Sequence, residues 1–314
     1  MDFLFVADTV KLPRLSLVRP DEIVVENVRQ SRNLVRQMSY SVSYINNHTL
    51  LIGTQRGLVV YKVTRDPNET RRELIMPGTN VYSVRPAGRH AVAILSQSNV
   101  NPSENLVKVS SPASLGDGNA LLASHPNQGT DISDLHLSVC DEIAHVAVCD
   151  IHRRCVTLYH SVYGVKNRDI GLGLLERPAG VLLLPKCVYI TDTKQGRLYK
   201  HAFVDGETKS ICDNLRHPTG MSLDGNGCLY IASKVGLIYV ITPTGNCTDF
   251  KLCRCSDYGL LGISHTTVTS LLHVCHDNLF NALFVTNEYF CLIGHVSKKG
   301  VASKCMSQAS GDLS

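Results

Sequence analysis

Four arginines stand in or beside short polar turns between apolar segments: Arg56, the pair Arg153 and Arg154, and Arg197. A guanidinium is a planar fork of N–H donors that matches two oxygens of a phosphate or carboxylate, so arginines gathered on one surface would grip an acidic partner. These four are the candidate partner-binding residues. The remaining basic residues, such as Arg29, Arg32, Arg36, Arg71-Arg72 and Lys298-Lys299, are scattered and fit solvated turns. Soft metal ligands occur at Cys253-Arg254-Cys255 and Cys275-His276, but no second pair stands at zinc-finger spacing, so neither a metal nor another cofactor is expected. His273 and His276 lie three apart in a segment that reads as a strand, where that spacing means opposite faces and a strand-edge role. Gly171-Leu172-Gly173 lacks the third glycine and following helix of a phosphate loop. No catalytic residue is assigned.

What would position the arginines is a repeat. An apolar strand ending in a small or acidic residue is followed by a polar turn and a second apolar strand, most clearly at residues 187–192 with 197–199, 146–150 with 155–159, 229–233 with 237–240, and 283–287 with 291–293. Weaker copies lie at 5–8, 51–54 and 92–95. With Val6, Ile52, Ile94, Val148, Ile190, Ile231 and Val285 taken as equivalent, the spacings are 46, 42, 54, 42, 41 and 54 residues. Short strands at this period mark β-propeller blades, because one four-stranded sheet cannot bury both faces and must stack with others around a ring. The expectation is an all-β β-propeller of six or seven four-stranded blades, with seven repeat units counted, forming one domain over residues 1–314. In the fifth unit the strands are expected at 180–184, 187–191, 197–203 and 208–212, with loops elsewhere at 101–104 and near His265. The first unit lacks an inner strand; either a segment near 301–306 completes it or the chain is a piece of a longer protein.

Composition narrows the classes. The net charge of +4 in 314 residues does not by itself make a polyanion-binding surface, and DNA is not an expected partner. No run of about 18 apolar residues is present, so no membrane span is expected. The start carries no basic leader, which makes a cytoplasmic location the expectation and the three sequons, at Asn47, Asn68 and Asn246, chance matches. The strand cysteines Cys149, Cys155, Cys187, Cys228 and Cys291 are then expected to be reduced, buried, small hydrophobes.

The stretch 177–245, with HPTGMSLDGNGCLYIAS at 217–233, resembles NHL-repeat propellers, in which a Pro-x-Gly inner strand precedes strands of the LYVAD and RIQVF types. Residues 3–8 and 187–199 follow the same pattern. The resemblance implies the kind of propeller found at the C-terminal end of tripartite-motif proteins: a non-catalytic interaction domain with a protein partner first and single-stranded RNA second. No RING, B-box or coiled-coil segment is found, so ligase activity is not implied. The same stretch is similar to gluconolactonase and senescence-marker propellers, which makes a metal-dependent hydrolase the alternative. Those enzymes often carry Asn or Asp between the Pro and the Gly as an oxygen ligand for a divalent cation. Ala179 and Thr219 stand there instead. Alanine cannot ligate, so the interaction reading is preferred to the enzyme. Tyr189-Ile190-Thr191-Asp192 is similar to the YWTD motif, but that motif, like the WD repeat, needs a tryptophan and the chain has none.

Overall fold

The computed structural model describes residues 2–5, 39–46, 49–62, 71–87, 91–98, 100–111, 114–115, 121–126, 136–256, 264–267, 271–277, 282–287 and 291–295. After β1 (Asp2–Phe5), each repeat forms an antiparallel meander whose strand order in space follows the chain. The first blade is β2 (Ser39–Asn46), β3 (Thr49–Thr54), β4 (Gly57–Lys62) and β5 (Arg71–Ile75). The second is β6 (Val81–Ala87), β7 (Ala91–Gln97), β8 (Glu104–Ser110) and β9 (Leu121–Pro126). The third is β10 (Leu137–Cys140), β11 (His145–Asp150), β12 (Cys155–His160) and β13 (Lys166–Ile170). The fourth is β14 (Pro178–Leu184), β15 (Cys187–Asp192), β16 (Arg197–Ala202) and β17 (Thr208–Cys212). The fifth is β18 (Pro218–Leu223), β19 (Leu229–Ser233), β20 (Leu237–Ile241) and β21 (Cys247–Ser256). The short β22 (Ser264–Thr267) pairs with the end of β21, and β23 (Leu271–Asp277), β24 (Ala282–Asn287) and β25 (Cys291–His295) form a three-stranded sheet.

Burial explains the sequence pattern of the strands. The second strand of each blade has a neighbouring sheet on both faces and therefore reads as an unbroken apolar run, as in Val146-Ala147-Val148-Cys149, all buried. The outer strand β17 faces water along most of its length and is correspondingly polar. Apolar layers fill the gaps between sheets: Leu51 and Ile94 between the first two blades, Leu95 and Val148 between the next, Val156 and Ile190 between the third and fourth, Leu198 and Ile231 between the fourth and fifth.

Inner strands line the ring, each packed against the next, with β23 between β18 and β2 closing the circle. A buried hydroxyl ties every junction. Ser41 Oγ accepts from Val84 N at 3.3 Å, Ser83 Oγ from Leu137 N at 3.1 Å, and Ser138 Oγ from Leu183 N at 2.9 Å. Thr191 Oγ1 donates to Thr219 O at 2.8 Å, Thr219 Oγ1 reaches Leu271 O at 3.0 Å, and Thr286 Oγ1 donates to Tyr40 O at 3.2 Å.

The expected blade count is corrected. Five blades have four strands, not six or seven. The N-terminal repeat unit is not a blade: β1 runs parallel to β21 and extends the edge of the fifth blade. The last unit shows three strands among the described residues. An apolar strand with the right local pattern is satisfied by any open sheet edge, so spacing alone cannot tell a blade from an added edge strand. Residues near His265, expected as a loop, form β22. Residues 101–103 are a turn as expected, and the segment near 301–306 lies outside the described residues. Among the described residues no helix is long and apolar enough to cross a membrane.

Replacing Ser41 or Ser83 by Ala strands a backbone N–H at a dry junction, at a cost of about 1–3 kcal/mol each. Urea unfolding of the single variants, with Ser103→Ala in an exposed turn as the control, checks this; variants as stable as the control would show that the junction hydroxyls do not hold the ring.

Candidate functional site

The residue ending the second strand of a blade organises the hairpin that follows. Asp192, wholly buried, accepts from four backbone N–H groups: Lys194 and Gln195 at 3.0 and 2.9 Å through Oδ1, Glu176 and Arg177 at 2.6 and 3.1 Å through Oδ2. Asp150 caps its turn at Arg153 N, Thr54 at Arg56 N and Ser233 at Val235 N. The small-or-acidic position of the repeat is thus a turn cap.

Because the strand order is the same in every blade, these hairpins all open on one face of the ring. Arg56, Arg153, Arg154 and Arg197 lie there, in the first, third, third and fourth blades. Each arginine is held differently. Arg153 makes a two-point pair with Asp169, its Nη1 3.1 Å from Oδ1, and Lys166 reaches the same carboxylate at 2.7 Å. Burial pushes the Asp169 carboxyl up, but the Lys166, Arg153 and Thr157 hydrogen bonds outweigh it and hold the group below its usual range. Arg197 pairs with Asp213 at 2.9 Å, and Lys194 with Glu176 at 2.6 Å. Arg154 is exposed in a left-handed conformation at φ 54°, and Arg56 is half-buried. Between them the loop 171–177 exposes Leu172 (57 %) and Leu174 (38 %), tied to the fourth-blade hairpin by Gln195 Nε2 donating to Leu174 O.

A second group, missed from the sequence, fills the central channel. Ser41, Ser83, His136, Gly180, Gly220 and His273 occupy equivalent positions, each just before the inner-strand residue that pairs with the middle of the second strand. Where the other blades have Ser or Gly, the third blade and the closing sheet present imidazoles. His136 Nε2 lies 3.1 Å from Leu272 O across the ring, and the two rings approach to 5.1 Å between centroids. Arg85 enters from the second blade: Nη1 donates to Ser41 Oγ at 3.2 Å and to Val84 O at 2.9 Å, while Nη2 meets His273 Nε2. Arg85 is half-buried, its guanidinium held by these contacts. His273, expected at a strand edge, is a buried inner-strand residue. The detectable signal was the alignment of inner strands, in which two histidines and an arginine interrupt a run of small residues.

Partners fix the tautomers. A carbonyl only accepts, so His136 carries its proton on Nε2; a guanidinium only donates, so His273 Nε2 is unprotonated and Nδ1 carries the proton. His136 Nδ1 is buried without a hydrogen-bond partner, whereas the His273 ring also meets the Met221 backbone. Burial first, then the Arg85 charge, lowers the His136 pKa to about 3, against the Leu272 backbone, and lowers that of His273 well below its ordinary value. Burial lowers Arg85 to about 10, so it stays a cation at neutral pH between two neutral imidazoles. Such imidazoles are poor general acids or bases near pH 7.

Ala179 and Thr219 are wholly buried, and the Thr219 hydroxyl is spent on the Ala232 and Leu271 carbonyls. Among the described residues no three His, Cys, Asp or Glu side chains cluster as a metal site. Cys140, Cys149, Cys155 and Cys187 are buried thiols, Cys228 is a half-buried thiol beside β19 rather than in it, and Cys247 is an exposed one; the side chain of Cys291 lies outside what is described.

No protein-family profile and no curated protein matches the sequence. Solved structures do resemble it. An auxiliary nutrient binding protein from Bacteroides thetaiotaomicron superposes with TM-score 0.61 at 12 % identity, over 82 % of this chain and 69 % of the other. Streptogramin B lyase gives 0.57 at 10 % identity over 83 % and 95 %, and the WD40 β-propeller domain of Doa1 gives 0.55 at 7 % over 84 % and 95 %. This chain has the β-propeller fold. Identities this low show the propeller fold alone.

Channel packing and titration give two expectations. A Cβ at Gly220 would sit 2.4 Å from His273 Cδ2 and 2.9 Å from Leu272 O, so Gly220→Ala should cost about 1–3 kcal/mol in denaturant unfolding. Near-wild-type stability would show that the channel is looser than this. Between pH 6.5 and about 3 the unfolded chain binds a proton at His136 that the folded propeller refuses, so stability falls as pH drops through that window. The limiting slope is about 1.4 kcal/mol per pH unit for each such histidine. Urea midpoints of wild type and His136→Asn from pH 7 to 4 check the sign; parallel curves would contradict it.

Proposed function

We propose that this propeller is a non-catalytic interaction domain of the NHL type that docks a protein partner on the face formed by the second-to-third-strand hairpins. One observation carries the choice: the cations of that face are largely paired inside their own blades, Arg153 with Asp169, Arg197 with Asp213 and Lys194 with Glu176, around exposed Leu172 and Leu174. A rim of both signs around an apolar centre matches the anatomy of protein–protein contacts. Single-stranded RNA would instead draw on unpaired cations along a continuous track, together with exposed aromatic platforms. A chain solved in a nidogen/laminin complex also resembles this one, at 13 % identity with TM-score 0.52 over 79 % of this chain and 93 % of that one, which supports the use of such a scaffold in protein recognition. Against the hydrolase alternative, alanine and a hydroxyl already bonded within the fold stand where oxygen ligands would be needed.

Leu172→Asp with Leu174→Asp should abolish co-purification of partner proteins while leaving the fold intact. Val162→Asp with Val204→Asp, exposed on the opposite face, should not. Quantitative affinity capture with the two double variants compares them directly; equal loss from both would remove the assignment of the face. Retention of a single-stranded RNA at low salt, lost with Arg153→Ala and Arg154→Ala and flattening in salt dependence, would return RNA to first place.

A further inference from the structure

We propose that Cys212 and Cys247 are a redox-active pair that closes a reversible disulfide between the outer strands of the fourth and fifth blades. Cys212 ends β17 and Cys247 begins β21, so the two sulfurs come from neighbouring sheets. They touch across the seam. The Cys247 thiol donates a hydrogen bond to Cys212 Sγ, and Cys212 Sγ in turn donates to Asp213 O at 3.8 Å. Packing holds this meeting in place independently of the thiols. Cys212 lies against the apolar layer between the two blades, which contains Leu198 on one side and Tyr239 and Ile241 on the other. Ile241 is the cross-strand neighbour of Cys247. Just past Cys212, Arg216 N donates to Tyr239 Oη at 2.8 Å and fastens the connecting loop to the fifth blade.

Sulfurs already in contact reach bonding distance by side-chain rotation, without moving the backbone. Cys247 is exposed and Cys212 half-buried, so a small oxidant in solution reaches the pair, whereas Cys140, Cys149, Cys155 and Cys187 are buried. The oxidant is a low-molecular-weight disulfide. A thiolate of the pair attacks one of its sulfurs, the S–S bond of the oxidant breaks and one small thiol leaves; the second thiolate then attacks the mixed disulfide, forms the Cys212–Cys247 bond and releases the other small thiol. The pair gives up two electrons and two protons, and the two departing thiols carry them. Partial burial of the sulfur, then the Cys212 thiol, push the Cys247 thiol up to about 12. Cys247 therefore keeps its proton at neutral pH, and exchange runs faster in mild alkali. The bond adds a covalent tie at the rim of a seam whose channel end is tied by Thr191 Oγ1 donating to Thr219 O.

Incubation of the intact protein with oxidised glutathione in mild alkali, followed by blocking of leftover thiols and peptide mapping by mass spectrometry without reductant, is expected to find Cys212 joined to Cys247 with the loss of two hydrogens. Dithiothreitol should reverse the bond. In glutathione redox buffers the equilibrium constant for the bond should be at least about tenfold larger in the folded protein than in urea, since the fold supplies the contact. Cys212→Ser and Cys247→Ser should each lose the cross-link and leave the remaining thiol trapped as a mixed disulfide with glutathione. Cys228→Ser should keep the cross-link. Cys247→Ser, at an exposed position, carries the test if Cys212→Ser does not fold. Absence of this cross-link in the folded wild type would assign the pair to packing alone and overturn the proposal. So would an equilibrium constant no larger in the folded protein than in urea, or loss of the cross-link in Cys228→Ser.

Discussion

Where two sheets of the ring meet at the channel, backbone groups of the inner strand face a neighbouring blade that cannot offer a strand edge, and a serine or threonine hydroxyl must answer them. All six junctions are answered in this way, by Ser41, Ser83, Ser138, Thr191, Thr219 and Thr286. Apolar layers between the sheets supply most of the favourable free energy, but they are non-directional and would tolerate sliding. The hydroxyls remove that tolerance, because a buried N–H or C=O without a partner costs about as much as a core methylene or more. They also account for the register shift near the start of most inner strands, as at Ser39/Ser41 and Val81/Ser83, where the chain departs from the ladder to meet the next blade.

The two faces of the site follow from this ring. Its hairpins are stiffened at their bases by Asp192, Asp150, Thr54 and Ser233, so the charged and apolar side chains beyond them are presented from a rigid rim. Exposed ion pairs contribute little to stability, typically below about 1 kcal/mol. Their effect here is on recognition: an arginine already facing Asp169 or Asp213 presents a dipolar patch rather than a bare cation, which suits a partner of mixed charge.

The channel obeys the opposite rule. It is narrow enough that Gly220 is needed to admit the His136 and His273 rings, and both imidazoles are buried, so each charge beside them weighs heavily. The histidines respond by staying neutral, and the arginine cannot. The contrast between two imidazoles that surrender their protons and a guanidinium that keeps its own makes the channel an electropositive interior in a chain whose overall charge is only +4. Tyr40, Tyr82 and Leu272 pack together beside this group, with the tyrosine rings edge-on at 5.2 Å.

By itself the sequence determined the all-β repeat, because a strand covered on both faces must be apolar throughout and its end must carry a turn cap, and both demands are local. Residues 187–192 and 208–212 were legible to within a residue for that reason. The presence of Arg56, Arg153, Arg154 and Arg197 in or at hairpins was legible too, but the pairing of Arg153 with Asp169 and of Arg197 with Asp213 was not, since each partner lies 16 residues further along, on or just past the outer strand of the blade. Blade number escaped the sequence because β1 has a blade's local pattern yet finds its hydrogen bonds on β21, nearly 250 residues away. Only the closed ring brought Arg85, His136 and His273 together from three sheets. No spacing along the chain encodes that meeting, because it depends on how many sheets close the circle and on which residues their inner strands turn toward the axis.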